Sequence, residues 1–355
     1  MLDILIILFL IMLFWAFKVA PNRGFYLRSL TLEHSICLKG ICAMLVVFCH
    51  ISQKAEGGWV FPWLGKNLAE VILASLFFAL SGYGVMKQFK HNQTAYLHGF
   101  YRKRLGKIFI PGFIIWGICF ALERIANPEL SLRMVLRQFA SSDLIRTFSW
   151  FLIAIAVCYV GFGLFMRWFH SQMPTAILSL CVYLMLYMLI CQIIGLDTVW
   201  YSSMAAFVVG VVWANWEEDF MSAVRGFYWL FLVAGILLIV GMLWGYLTIS
   251  KASLNHVVPI LFQWGISMGV TLMLFLLCQK FRFQSVLWGL AGTVSYEIFL
   301  VQGIILYLFR NDTYYVRTDI VYAVTVVVLS VVCGIVLHFV SKGVTFVYRK
   351  VVKLG

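Results

Sequence analysis

The sequence predicts an all-α, polytopic integral membrane bundle, and three observations carry that prediction. Of the 355 residues, 63% are hydrophobic and only 12% are charged, whereas soluble domains are about half apolar and about one quarter charged. The chain contains only six prolines, the residue that most often breaks helices. Apolar runs of membrane-spanning length recur along the whole chain, which leads us to expect about eleven transmembrane helices.

Each predicted helix is an apolar run close to the roughly 20 residues that cross a bilayer. The first run has Asp3 before it and Lys18 after it, the reverse of the charge pattern of a signal peptide. We therefore expect a retained helix with its N-terminus outside. The runs lie near residues 3–19, 36–52, 68–87, 106–123, 149–167, 175–195, 199–216, 227–248, 257–278, 287–309 and 320–341.

Lysines and arginines set the expected orientation. With eleven helices and an outer N-terminus, the cytoplasmic loops and C-terminal tail carry 18 of the 27 basic residues. Short cytoplasmic loops are rich in Lys and Arg, so this threading is favoured over its inverse. Two loops oppose it, because 217–226 is acidic and 123–146 carries four arginines on the outer side. We expect a multi-pass protein of the cell membrane with a cytoplasmic C-terminus.

The net charge of +13 would suggest nucleic acid as a partner of a soluble chain. Here the positive charges lie mainly in short loops, so we expect contacts with membrane lipid headgroups and no nucleic acid. The nine cysteines lie in or beside apolar runs and form no CxxC pair. We therefore expect small core residues and no metal site.

Two polar residues share one face of the second predicted helix, in the stretch LKGICAMLVVFCH. Lys39 and His50 are eleven residues apart, which brings the helix round to within about 20° and raises it by about 16 Å. The residues between them on that face are small or slim, namely Cys42, Ala43 and Val46. This pattern suits the wall of a cavity with a polar group at each end. The alternative is that Lys39 reaches the membrane interface and His50 makes a structural interhelical hydrogen bond.

A basic cluster opens the fourth predicted helix, in FYRKRLGKIFIP. Arg104 and Lys107 are three residues apart and share a helix face. Cations at a helix N-terminus oppose the helix dipole unless an anion lies among them, so a phosphate-rich ligand would suit this site. The alternative is orientation by positive charge alone.

One carboxylate, Glu297, lies well inside an apolar run, so we expect it to have a partner: a histidine, a backbone group or a substrate hydroxyl. We predict no catalytic or binding role for the other histidines. We expect solvated loop positions for His34, His91, His98 and His170, and positions near helix ends for His256 and His338.

At these residues the chain resembles the acyltransferase 3 family of integral membrane O-acyltransferases. The family's hallmark is a basic residue, ten residues and a histidine, matched by Lys39 and His50. Departures are Ile36 where Asp is frequent, Lys107 as the second residue of R-x-x-R, Gln302 where His is frequent, and the helix at 3–19. Further landmarks in family order are Ser81-Gly82-Tyr83, Arg104-x-x-Lys107 before a proline, Trp150-Phe151-Leu152 and Ser295-Tyr296-Glu297.

The resemblance implies transfer of an acyl group, usually acetyl, from cytoplasmic acyl-CoA to a hydroxyl of a glycan or a lipid-linked cell-envelope acceptor. It implies His50 as general base, with Glu297 as a second catalytic residue. Lys39, Arg104 and Lys107 would hold the CoA phosphates. Acyl-CoA is then a co-substrate, and no permanently bound cofactor is expected.

The resemblance also divides the chain into an extra N-terminal helix and loop at 1–35, a transmembrane acyltransferase domain at 36–345 and a basic cytoplasmic tail at 346–355. A transient acyl-His50 is an alternative to base catalysis. The rival functions are a secondary transporter or flippase of a lipid-linked glycan, and a membrane sensor or structural subunit. A transporter would commonly show two related halves, which this sequence does not.

Overall fold

The computed structural model describes residues 2–21, 24–55, 58, 69–126, 143–252, 257–311 and 314–354. These ranges contain thirteen α-helices and a two-stranded sheet of β1 (Phe17–Val19) and β2 (Phe281–Phe283). The helices are α1 Asp3–Ala16, α2 Leu32–Lys54, α3 Ala69–Leu97, α4 Phe100–Ala126, α5 Asp143–Trp168, α6 Met173–Ile193, α7 Ala205–Asn215, α8 Glu217–Gly226, α9 Tyr228–Ala252, α10 Val257–Cys278, α11 Val286–Thr293, α12 Ser295–Phe309 and α13 Asp319–Leu354.

The prediction of an all-α polytopic membrane bundle is confirmed. In the described part of the chain, nine helical segments are long and apolar enough to cross a membrane. The pair α11 and α12 makes a tenth span if it is counted as one. The apolar α1, with 14 residues, is shorter than a full span.

Helices α3 and α7 pack with their backbones in contact. A Cβ atom on Gly82 of α3 would overlap the carbonyl oxygen of Phe207 in α7. Small residues allow this approach between membrane helices. Gly82, in the Ser81-Gly82-Tyr83 landmark, therefore allows the two backbones to meet.

A second backbone contact fixes the cavity wall, between α2 and α11. A Cβ atom on Gly292 would overlap the carbonyl oxygen of Ile36. Two residues later, at Val294, the chain turns by 71° and continues as α12. We expected an unbroken helix over 287–309, and that expectation is wrong. Non-helical backbone at membrane depth is tolerated where it lines a cavity, and Gly292, Thr293 and Ser295 at this break line one.

Contacts between loops group the helix ends into two sides. Strands β1 and β2 pair, and the backbone N–H of Ser29 donates to Glu217 at 2.8 Å. At the other side Arg310 donates to the carbonyl oxygen of Lys54. The expected threading puts the loops 18–39, 217–226 and 279–286 on one side of the membrane. It puts the loops that hold Lys54 and Arg310 on the other side, so the observed contacts agree with it. Which side is cytoplasmic stays a prediction.

The acidic loop expected at 217–226 is the helix α8, and its first residue explains its charge. Glu217 is 3% exposed and forms an ion pair with Lys87. The hydroxyl of Tyr83 donates to the same carboxylate at 3.0 Å. The carboxylate therefore neutralises a lysine of α3 and ties α8 to that helix.

Two other expectations about helix ends change. His34 was expected in a solvated loop, but it lies in the first turn of α2 and is fully buried. Helix α13 continues to Leu354, so residues 346–354 of the expected tail are helical. The helices are longer than the apolar runs that predict them, because they extend beyond the apolar part of each span.

Candidate active site

A cavity of about 610 Å³ lies among α2, α3, α4, α5, the break between α11 and α12, and α13. Its wall contains every residue that the sequence nominated for binding or catalysis. Those residues are Lys39, His50, Arg104, Lys107 and Glu297. Their separation along the chain is large, so the fold rather than local sequence brings them together.

One end of the cavity, here named the cationic end, is formed by Lys39, Arg104, Lys107 and Lys342. Arg104 and Lys107 lie close enough to Lys39 for their charges to interact with it. Among the described lining residues these four cations face a single carboxylate, that of Glu297. The cavity is therefore electropositive at this end and suited to an anion with several charges.

Arg104 is held in place by residues of α3. Its Nε atom donates to the hydroxyl of Tyr96 at 2.9 Å, and its Nη2 atom donates to Oε1 of Gln88 at 2.9 Å. The guanidinium also lies 5.9 Å from the ring centroid of Tyr159 on α5. A guanidinium positioned in this way is pre-organised for an anionic ligand.

The other end of the cavity, here named the His50 end, is mostly apolar. His50 is half-buried, and its Nδ1 atom lies 3.2 Å from Oε1 of Gln53. When the amide oxygen accepts from Nδ1–H, the lone pair of the neutral ring is on Nε2. The side chains around this end are Leu73, Phe77, Trp150, Phe151 and Phe299.

Glu297 has the histidine partner that was one of the three expected alternatives. Nδ1 of His338 lies 2.7 Å from Oε1 of Glu297, and the glutamate is 8% exposed. We predicted a position near a helix end for His338, and that position is wrong. The residue lies within α13 and lines the cavity. His256, the other histidine placed near a helix end, is outside the described residues.

Glu297 lies at the depth of the cationic end. Arg310 contacts Lys54, the last residue of α2. The depth of a residue on α2 or α12 can therefore be counted from this contact. His50 is four residues from Lys54, or about 6 Å, whereas Glu297 is thirteen residues from Arg310, or about 20 Å. Lys39 is fifteen residues from Lys54, or about 22 Å. Glu297 is therefore close in depth to Lys39 and far from His50.

A polar face of α13 completes the cavity wall and was missed by sequence reasoning. His338, Ser341, Lys342 and Thr345 line the cavity from positions i, i+3, i+4 and i+7 of this helix. That spacing in an otherwise apolar run was the available signal. We predicted only a position near a helix end for His338, and no role for Ser341, Lys342 or Thr345.

Comparison with family models gives a match over residues 35–339 to a family described as an acyltransferase domain. The matched range contains the nominated residues and ends one residue after His338. Neither the comparison with curated proteins nor that with solved structures gives a match. The family assignment therefore rests on the family model together with the ordered motifs.

Proposed function

The chain belongs to the acyltransferase 3 family and is a multi-pass membrane acyltransferase, and we propose that it uses acyl-CoA as donor. The acyl group, acetyl in the expected case, goes to a hydroxyl of a glycan or a lipid-linked cell-envelope acceptor. The cationic end opens to the cytoplasm, where acyl-CoA is made. The protein resides in the cell membrane with its N-terminus outside.

The phosphates of CoA bind at the cationic end. CoA carries a diphosphate and a separate phosphate, and Lys39, Arg104, Lys107 and Lys342 offer four positive charges around one space. Charge-assisted hydrogen bonds from Arg and Lys to phosphate are the strong ones. Lys342 joins the three cations that the family motifs suggested.

The length of the cavity is the observation that carries this proposal. About twelve bonds join the phosphate of CoA to its sulfur, as many as in four residues of backbone, which extend about 14 Å. Lys39 and His50 are separated by a rise of about 16 Å on one face of α2, and both line the same cavity. A CoA with its phosphates among the cations therefore delivers its thioester to His50.

His50 acts as the general base. Nε2 takes the proton of the acceptor hydroxyl, and the oxygen attacks the thioester carbonyl. The C–O bond forms, the C–S bond breaks, and CoA leaves as a thiolate that takes the proton from the imidazolium. Imidazole exchanges protons near neutral pH, which suits both steps. The apolar side chains around His50 exclude water that would otherwise hydrolyse the thioester.

The test is acyl transfer by the purified protein in sealed lipid vesicles, in which transport across the bilayer can also be followed. Acetyl-labelled CoA is added with extracted cell-envelope glycolipids, and free thiol and labelled acceptor are measured together. We expect thiol and labelled acceptor to appear in equal amounts. A transporter or flippase releases no thiol, so transport of the glycolipid without thiol release would overturn the proposal in favour of that alternative.

A further inference from the structure

A carboxylate within a phosphate-binding site needs an explanation. Glu297 is the one carboxylate among the described lining residues, at the depth of Lys39. Alone it would repel the phosphates of a bound CoA. Its partner is His338 rather than a lysine or arginine of the cationic end, so the charge of the pair depends on a proton.

The second nitrogen of His338 lacks the hydrogen-bond partner that a buried polar atom needs. Nδ1 is bound to Glu297, whereas Nε2 is buried without a hydrogen-bond partner among the described residues. The residue lines the cavity, and Lys342 lies one turn further on the same face of α13. A buried ring nitrogen without a partner is unfavourable unless a ligand or water meets it.

Groups from every helix around the pair bear on its charge. Cations face it from α2 and α4, and a further cation lies on α13 itself; tyrosine hydroxyls complete the wall. Phosphates bound among these groups would add negative charge beside the imidazole and so favour its protonated form. The groups are Lys39, Arg104, Lys107, Tyr159, Tyr296 and Lys342.

We propose that His338, oriented by Glu297, is an additional binding residue for the donor phosphates, and that it takes up a proton when they bind. This inference rests on the proposed function. The neutral ring gives Nδ1–H to Glu297 and turns a lone pair on Nε2 towards the ligand. The protonated ring donates from both nitrogens, so Nε2–H meets a phosphate oxygen and the glutamate charge is neutralised.

The sign of the pH dependence follows. Phosphate binding favours the protonated ring, so the affinity for CoA rises as pH falls through the range in which histidine changes charge, about pH 8 to 5. A hydrogen bond to a charged group is worth about a tenfold change in affinity or somewhat more. Glu297 and His338 are positioning and binding residues in this assignment, and His50 alone moves the proton of the acceptor.

The experiment is calorimetric titration of CoA into the full-length protein in nanodiscs at pH 6 and pH 8, in two buffers of different ionisation enthalpy. The wild-type protein is expected to take up a proton on binding and to bind about tenfold more tightly at pH 6. His338→Gln keeps an N–H donor at every pH, so proton uptake and the pH dependence should both shrink. Titration of the CoA phosphate itself is common to all variants and cancels.

Two further variants protect the test against misfolding. Glu297→Gln keeps a hydrogen-bond acceptor but removes the charge that favours imidazolium, so CoA should bind with reduced proton uptake. His170→Gln, at an exposed turn outside the cavity, should behave as wild type. Equal weakening at both pH values, or unchanged uptake in His338→Gln, overturns this inference and leaves the proposed function standing. Absence of CoA binding by the wild type overturns both.

Discussion

The two ends of the cavity are built differently. The cationic end collects positively charged side chains from α2, α4 and α13. The His50 end offers one imidazole among apolar and aromatic side chains. About 16 Å of helix separates them. On the proposed function, donor binding and chemistry fall to different residues, so changes at the two ends should appear in different kinetic constants.

The largest effect is expected at the His50 end. His50→Ala removes the general base, which accounts for about a hundredfold to ten-thousandfold of rate. kcat for acyl transfer should fall by that amount, while the affinity for CoA measured by calorimetry stays within a few-fold of wild type. His98→Ala, which alters an exposed histidine, is the matched control. Unchanged kcat in His50→Ala would contradict the base assignment.

A change that fills the cavity tests whether the two ends are joined. Gly106 on α4 lines the cavity, and a Cβ atom there would meet nothing within 4 Å. Gly106→Leu places a side chain in the path of the donor and should reduce CoA affinity more than the loss of any single cation. Gly117→Leu is the control, because it is on the same helix, equally unhindered and outside the cavity. Equal CoA affinity in the two variants would place the donor elsewhere.

A smaller effect is expected at the cationic end. Arg104→Ala removes a charge-assisted contact, so KM for acyl-CoA should rise about 10- to 100-fold with kcat little changed. Arg102→Ala removes the same charge from an exposed site two residues earlier, outside the cavity. Steady-state kinetics of both variants separate placement from net charge. A comparable rise in KM for Arg102→Ala would mean that only the net positive charge matters and not the position of Arg104 in the cavity.

The smallest effect concerns the support of that arginine. Tyr96→Phe removes the hydroxyl that accepts from Arg104 and leaves the ring in place. A hydrogen bond to a charged group contributes about 1.5–3 kcal/mol, but the bond from Arg104 to Gln88 remains. Only part of that energy should therefore be lost, and KM should rise roughly three- to sixfold with kcat unchanged. The same kinetic assay measures it. An effect on kcat alone would mean that Tyr96 acts on the chemistry.

Most of the helices could be predicted from sequence because hydropathy and length decide whether a segment spans a membrane. The shared face of Lys39 and His50 could also be predicted, since both lie on one helix and its geometry fixes their relation. The bend at Val294 could not, because the sequence on either side is equally apolar. It is set by the backbone contact between Gly292 and Ile36.

The part of the site contributed by α13 depends on tertiary packing. His338 and Lys342 follow Lys39 by some three hundred residues, and no local pattern relates them to it. Glu297 could be expected to have a partner, because a membrane-buried carboxylate is costly alone. Which histidine provides it is decided by how α12 packs on α13. The catalytic and binding roles of all these residues stay predictions.

The contact between Gly292 and Ile36 also limits how the protein can open. Because no side chain separates the two backbones at this contact, we expect α2 and α11 to move together. Lys39 and the turn before Glu297 would move with them. That half of the wall behaves as one stiff body. On the proposed function, we expect a donor as bulky as a nucleotide to enter by displacement of the opposite half, where α4 and α13 carry the remaining cations.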